Sequence, residues 1–128
     1  MRNNSKKIDL KILKKMLERE FPEISIAYIF GSAKDGVIKS NSDIDIAVLL
    51  KNNYEKLIEF KIAAEIEEYF QCKTDVIVMN TANPILKYEV FKNGNRLFER
   101  DSKERAIFEV NAFRDYLDNI YFLRRRYA

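Results

Sequence analysis

Two apolar runs, Ile24 to Phe30 and Ile44 to Leu50, flank a stretch that no single regular element can absorb. The first run breaks at Gly31-Ser32. After ten further residues the second run opens on Asp43-Ile44-Asp45. Both runs have strand length and composition. Successive strand side chains point to opposite faces, so Asp43 and Asp45 share one face while Ile44, Ile46 and Val48 share the other. The rise per residue puts the two carboxylates roughly 7 Å apart along the strand, close enough to converge on one or two divalent ions. The Gly-Ser turn, taken as the start of a short helix, offers free backbone N–H groups to a phosphate. An anion site beside a metal site is what phosphoryl or nucleotidyl transfer requires.

The remaining elements follow from periodicity. Residues from about Ser5 to Glu20 carry Ile8, Ile12, Leu13, Met16 and Leu17 on one helical stripe, and Phe21-Pro22 ends that helix. A short helix is expected from Ser32 to about Gly36, then a polar loop, Lys39-Ser40-Asn41-Ser42. A helix capped by Asn52 or Asn53 should run to about Tyr69, burying Ile58, Ile62, Ile66 and Phe70. Thr74 to Met79 forms a third strand, with Asp75 near its start. Asn83-Pro84 opens another helix. Lys92-Asn93-Gly94-Asn95 turns into a brief strand, Arg96 to Glu99. Asp101 with Glu104 resembles a capping box for a last helix, about 102–124. Helices and strands alternating around a small mixed sheet make an α+β fold.

The composition excludes several chemistries. With no histidine in 128 residues, a Ser-His-Asp triad, a Cys-His dyad and a His-containing zinc site are all ruled out. The length suits one compact domain over 1–128, and no apolar run is long enough to span a bilayer. The basic N-terminus lacks the apolar core of a signal peptide. The lone cysteine, Cys72, cannot pair within the chain, which points to a reducing cytoplasm. A net charge of +3 is too mild to imply nucleic-acid binding.

The pattern Gly31-Ser32-x10-Asp43-x-Asp45, followed by Asp75 on the next strand, resembles the signature of nucleotidyltransferases related to DNA polymerase beta. It resembles in particular the minimal, stand-alone members of that superfamily, and the order of elements agrees over about the whole chain. The resemblance implies that Asp43, Asp45 and Asp75 ligate two magnesium or manganese ions. It also implies that Gly31 and Ser32 bind the triphosphate of ATP, and that Asp75 can take the nucleophile's proton. Similar short proteins pair as antitoxins with a HEPN-domain toxin, an all-helical ribonuclease. The implied reaction is transfer of AMP from ATP to a tyrosine of that toxin. Two alternatives stand beside it: an enzyme modifying a small aminoglycoside-type acceptor, and a non-catalytic antitoxin acting by occlusion.

Two features depart from that pattern. Relatives often carry an arginine just after the Gly-Ser turn, where this chain reads Ala33-Lys34-Asp35-Gly36. Lys34 and Lys39 are either substitutes at the phosphate or plain surface lysines, and Asp35 would oppose a phosphate if it pointed inward. The last helix carries Phe108, Phe113, Tyr116, Leu117, Ile120, Tyr121, Phe122 and Leu123 over more than one face. Such a helix either packs twice within the domain or meets a partner. Arg124-Arg125-Arg126 complements the dipole at its C-terminal end.

Overall fold

The computed structural model describes residues 6–39 and 42–127, with side chains through Phe122. The segment 1–5, the loop residues 40 and 41 and the side chains of Arg124-Arg125-Arg126 lie outside the described residues. The chain runs β1 (Lys6–Lys7), α1 (Leu10–Glu20), β2 (Ile24–Phe30), β3 (Val37–Ile38), β4 (Ile44–Leu50) and α2 (Ile58–Phe70). It continues through β5 (Thr74–Val78), α3 (Pro84–Asn93), β6 (Asn95–Glu99) and α4 (Ser102–Tyr127). Two single 3₁₀ turns, Gly31–Ala33 and Met79–Thr81, join these elements.

The main sheet has the order β5-β4-β2-β6. β4 pairs parallel with β5, whereas β2 pairs antiparallel with both β4 and β6, which gives the expected mixed sheet. Its two faces carry separate apolar clusters. Ile44, Ile46 and Val48 join Ala27 and Ile29 under Leu13 and Leu17 of α1 and Ile62 and Ile66 of α2. Ile26, Tyr28 and Ala47 face Val90 of α3 and Phe108 of α4. The alternation along β4 is therefore the one the sequence implies, and it consigns Asp45 to the α3/α4 face. Asn80 extends the sheet at the far end, accepting from the Leu50 N–H at 2.9 Å and donating to the Leu50 carbonyl at 2.8 Å.

Several boundaries differ from the sequence reading. The first helix begins at Leu10, not Ser5, because Asp9 caps it by accepting from the Lys11 and Ile12 amides. Lys6 and Lys7 instead pair antiparallel with Ile38 and Val37 in a two-stranded ladder. The helix expected from Asn52 or Asn53 starts only at Ile58, and neither asparagine caps it: Leu57 precedes it at φ 65° with no side-chain cap. Asn83 and Asp101 do cap their helices, accepting from the Leu86 and Lys103 amides at 2.9 Å each.

The long last helix packs on one side. Tyr116 stacks on Tyr88 of α3 with ring centroids 3.9 Å apart, and Phe113 meets the same ring at 5.5 Å. A polar chain anchors its first turns. The Tyr28 hydroxyl donates to Glu109 Oε2 at 2.6 Å, and Arg105 bridges Glu109 and Glu99 at 3.3 and 2.8 Å. Burial, then the Glu109 carboxylate, pushes the Tyr28 phenol well above its ordinary value.

Replacing Tyr28 by Phe should therefore cost about 1–2 kcal/mol, the loss of a hydrogen bond to a charged group. The folded phenol stays neutral where an unfolded tyrosine ionises, above about pH 10, so wild-type stability falls as pH rises through that range. Thermal melts from pH 7 to 11 should show Tyr28→Phe melting lower at pH 7 and losing less above pH 10. Identical melting curves at every pH would contradict the anchor.

Candidate active site

Register decides which carboxylates meet. In the parallel ladder Asp45 of β4 lies directly opposite Asp75 of β5, and across the other edge of β4 it lies opposite Phe30. Adjacent strands are about 4.8 Å apart, so the two carboxylates rise side by side from one end of the sheet. Asp43 precedes β4 on the same face by strand alternation, half-buried like Asp45, while Asp75 is exposed. The ladder is held at that end by the Ile44 N–H, which donates to the Lys73 carbonyl at 2.9 Å. Glu67 of α2 accepts from the Thr74 N–H at 2.9 Å.

Gly31 completes the cluster. It has φ +75°, and a Cβ built there would collide with Asp45 Oδ2. The residue is thus required twice, once for its left-handed backbone and once for the space the Asp45 carboxylate occupies. Ser32 follows, exposed at the start of the 3₁₀ turn, and Ala33 is buried beneath it. The turn itself is closed by the Lys34 N–H to the Gly31 carbonyl at 3.4 Å.

The two charged residues after the turn face away from it. Lys34 Nζ donates to the Asn93 carbonyl at the end of α3 at 2.9 Å, and Asn95 Nδ2 donates back to the Lys34 carbonyl at 2.8 Å. Lys34 therefore serves as a C-terminal helix cation, not as the cation at the Gly-Ser turn. Asp35 accepts from the Val37 N–H at 3.0 Å, a local turn that directs its charge into the backbone. Lys39 is exposed. This lysine–asparagine clamp between the turn and α3 was not legible in the sequence, because its partners lie about sixty positions apart.

The electrostatics of the cluster match its crowding. Burial raises the Asp45 carboxyl above its ordinary value, and the neighbouring Asp75 and Asp43 charges raise it further. A divalent cation would relieve that repulsion. Among the described residues no group of three or more acidic, histidine or cysteine side chains is placed to hold a metal ion by itself, so substrate oxygens or waters would have to complete a shell. An open, all-oxygen set of this kind suits magnesium or manganese, which keep waters and substrate oxygens in their shells, and does not suit zinc.

Comparison with known proteins agrees with the geometry. The family model "Polymerase beta, Nucleotidyltransferase" matches residues 11–103, and the chain belongs to that family. The protein adenylyltransferase MntA of Shewanella oneidensis is 26% identical over 101 residues, covering 77% of this chain and 73% of the relative. Its namesake in Aphanizomenon flos-aquae is 29% identical, covering 79% and 74%. Among solved structures, a mutant toxin–antitoxin MntA–HpeT crystal structure superposes with a TM-score of 0.77 at 21% identity, covering 94% of this chain and all of that one. A toxin–antitoxin structure with AMP-PNP gives 0.76 at 22% identity, with the same coverage. The tri-AMPylated Shewanella oneidensis HEPN toxin in complex with MNT antitoxin gives 0.69 at 20% identity, again covering 94% of this chain and all of that one. These likenesses establish the fold.

Two substitutions test the cluster. Gly31→Ala should displace Asp45 and strain the turn, lowering stability by about 1–3 kcal/mol in a melting experiment. Asp45→Asn should do the opposite in metal-free protein. A raised carboxyl costs stability as pH rises through the window above about 4, so the variant should melt higher than wild type at pH 7 and equal to it below pH 4. An Asp45→Asn variant that melts lower at pH 7 would show that the carboxylate is held by favourable bonds instead.

Proposed function

Taking that family membership as premise, we propose that this chain is a protein adenylyltransferase antitoxin, active over 1–128 as one domain in a reducing cytoplasm. It transfers AMP from ATP to a tyrosine of a cognate HEPN toxin and silences it. The observation that carries the reading is the facing pair Asp45 and Asp75 at one end of the sheet, with Asp45 packed against Gly31. The names of the MntA relatives and of the AMPylated-toxin complex support the reaction and the acceptor class. The AMP-PNP complex supports the donor.

Asp43, Asp45 and Asp75 would hold two magnesium or manganese ions. When bound, these ions neutralise charge that builds on the attacking and leaving oxygens. Gly31 lets the backbone approach the triphosphate without a Cβ, and the Ser32 hydroxyl donates to a phosphate oxygen. The tyrosine oxygen attacks the α-phosphorus, the bond to the bridging oxygen breaks, and pyrophosphate leaves. Asp75 is exposed and can accept the phenol proton. A phenol of pKa near 10 needs such help at neutral pH.

The test is intact mass spectrometry of the toxin after incubation with the chain, ATP and magnesium. Tyrosine should gain AMP, and Asp43→Asn should slow the gain by at least about 10³-fold. Ser32→Ala should cost about 1–3 kcal/mol in the nucleotide step without lowering the melting temperature. A toxin that is inhibited but unmodified would leave the chain an occluding protein.

A further inference from the structure

The 3₁₀ turn that carries Gly31 and Ser32 has little bonding of its own. It spans three residues, and the bond that closes it, from the Lys34 N–H to the Gly31 carbonyl, is long at 3.4 Å. Gly31 and Ser32 are exposed, and Ala33 is buried. A segment this short and this weakly closed takes its position from whatever grips its two ends.

The end of α3 grips both. Before the turn, Gly94 lies so close to β2 that a Cβ there would come within 2.9 Å of the Ile29 carbonyl oxygen and 3.0 Å of Phe30 Cβ. After the turn, Asn95 Nδ2 donates to the Lys34 carbonyl at 2.8 Å, and Lys34 Nζ donates to the Asn93 carbonyl at 2.9 Å. Asn95 is itself seated in the sheet, opposite Ile29 in the ladder between β2 and β6. Asn93 is steadied from within α3, its Nδ2 donating to the Glu89 carboxylate at 2.9 and 3.0 Å. Three consecutive residues, Asn93-Gly94-Asn95, thus hold the chain on both sides of the Gly-Ser turn. The Lys34 and Asn95 bonds are exposed, so each contributes little to the stability of the fold. A misplacement of about 1 Å at a group that binds the reacting substrate is nevertheless costly. We infer that Asn95 and Lys34 are positioning residues for the nucleotide, acting on its phosphates through Ser32 and not by contact. Resting on the function proposed above, in which Ser32 donates to a phosphate oxygen, the brace sets where that hydroxyl points. Asn95 separates position from charge, because it is neutral, whereas loss of Lys34 also removes a cation from the neighbourhood of the turn.

Calorimetric titration with AMP-PNP and magnesium tests the brace in a double-mutant cycle. Asn95→Ala should weaken binding about 5-fold in the wild-type background and less than about twofold in the Ser32→Ala background, since both residues act through one bond. Lys34→Met should weaken binding likewise, and Lys34→Arg, which keeps a donor for the Asn93 carbonyl, should restore it to within about twofold of wild type. The melting temperature of Asn95→Ala should stay within about 3 °C of wild type. In nucleotide-free protein the same variant should move the Ser32 and Ala33 amide signals, which a loss confined to α3 would leave in place. AMP-PNP binding by Asn95→Ala within twofold of wild type would overturn the inference and leave the proposed enzyme standing. So would an equal loss in both backgrounds, which would make Asn95 act independently of Ser32. A wild-type chain that binds no AMP-PNP with magnesium would remove the proposed function and the positioning role together.

Discussion

Everything at the candidate site depends on one close approach, that of the Asp45 carboxylate to the empty side of Gly31. β4 is flanked by β2 on one edge and β5 on the other, so a single residue of it can face both the end of β2 and the start of β5. Any Cβ at position 31 would collide with the Asp45 carboxylate and displace it. The left-handed turn and the repulsion among carboxylates fall at the same end of the sheet. The rest of the fold supplies the rigidity that holds this unfavourable arrangement together.

That rigidity is distributed over both faces. Fully buried Ile44 and Ile46 fix β4 beneath α1 and α2, which determines which way its intervening carboxylate must point. On the other face α3 reaches the Gly-Ser turn through Lys34 and Asn95, and α4 reaches β2 through Tyr28 and Glu109. The helices that shape the open end are thus tied to the sheet by polar bonds, and the opposite face is held mainly by apolar contact. Arg100 adds a further tie, donating to the Ile24, Glu18 and Phe21 carbonyls and so satisfying the end of α1.

The strands and carboxylates were legible because their information is local. The period-2 alternation around Asp43 and Asp45 and the break at Gly31 need no knowledge of the fold. The same holds for the caps at Asn83 and Asp101, whose side chains bond within three residues. Asn52 and Asn53 failed as caps because the chain makes an irregular passage through Asn53 and Leu57, both at φ 65°, before the helix can start. Lys6 and Lys7 read as helix because two residues carry no period of their own; their ladder depends on Val37 and Ile38, some thirty positions on. Lys34 looked like a candidate for phosphate because its true partner, the Asn93 carbonyl, comes near only when α3 has packed.

Paramagnetic broadening by manganese, in the presence of a non-hydrolysable ATP analogue, tests the central claim most directly, because it locates the ion without requiring turnover. A second set of carboxylates serves as the competitor: Glu20, Glu65 and Glu68 line, together with Lys15 and Arg19, a groove between α1 and α2 on the other face of the sheet. The account predicts that amide signals of Gly31, Ser32, Ile44, Asp45 and Asp75 broaden first, and that Asp45→Asn abolishes the effect. Broadening that begins at Glu65 and Glu68 and leaves Asp45 and Asp75 sharp would contradict it.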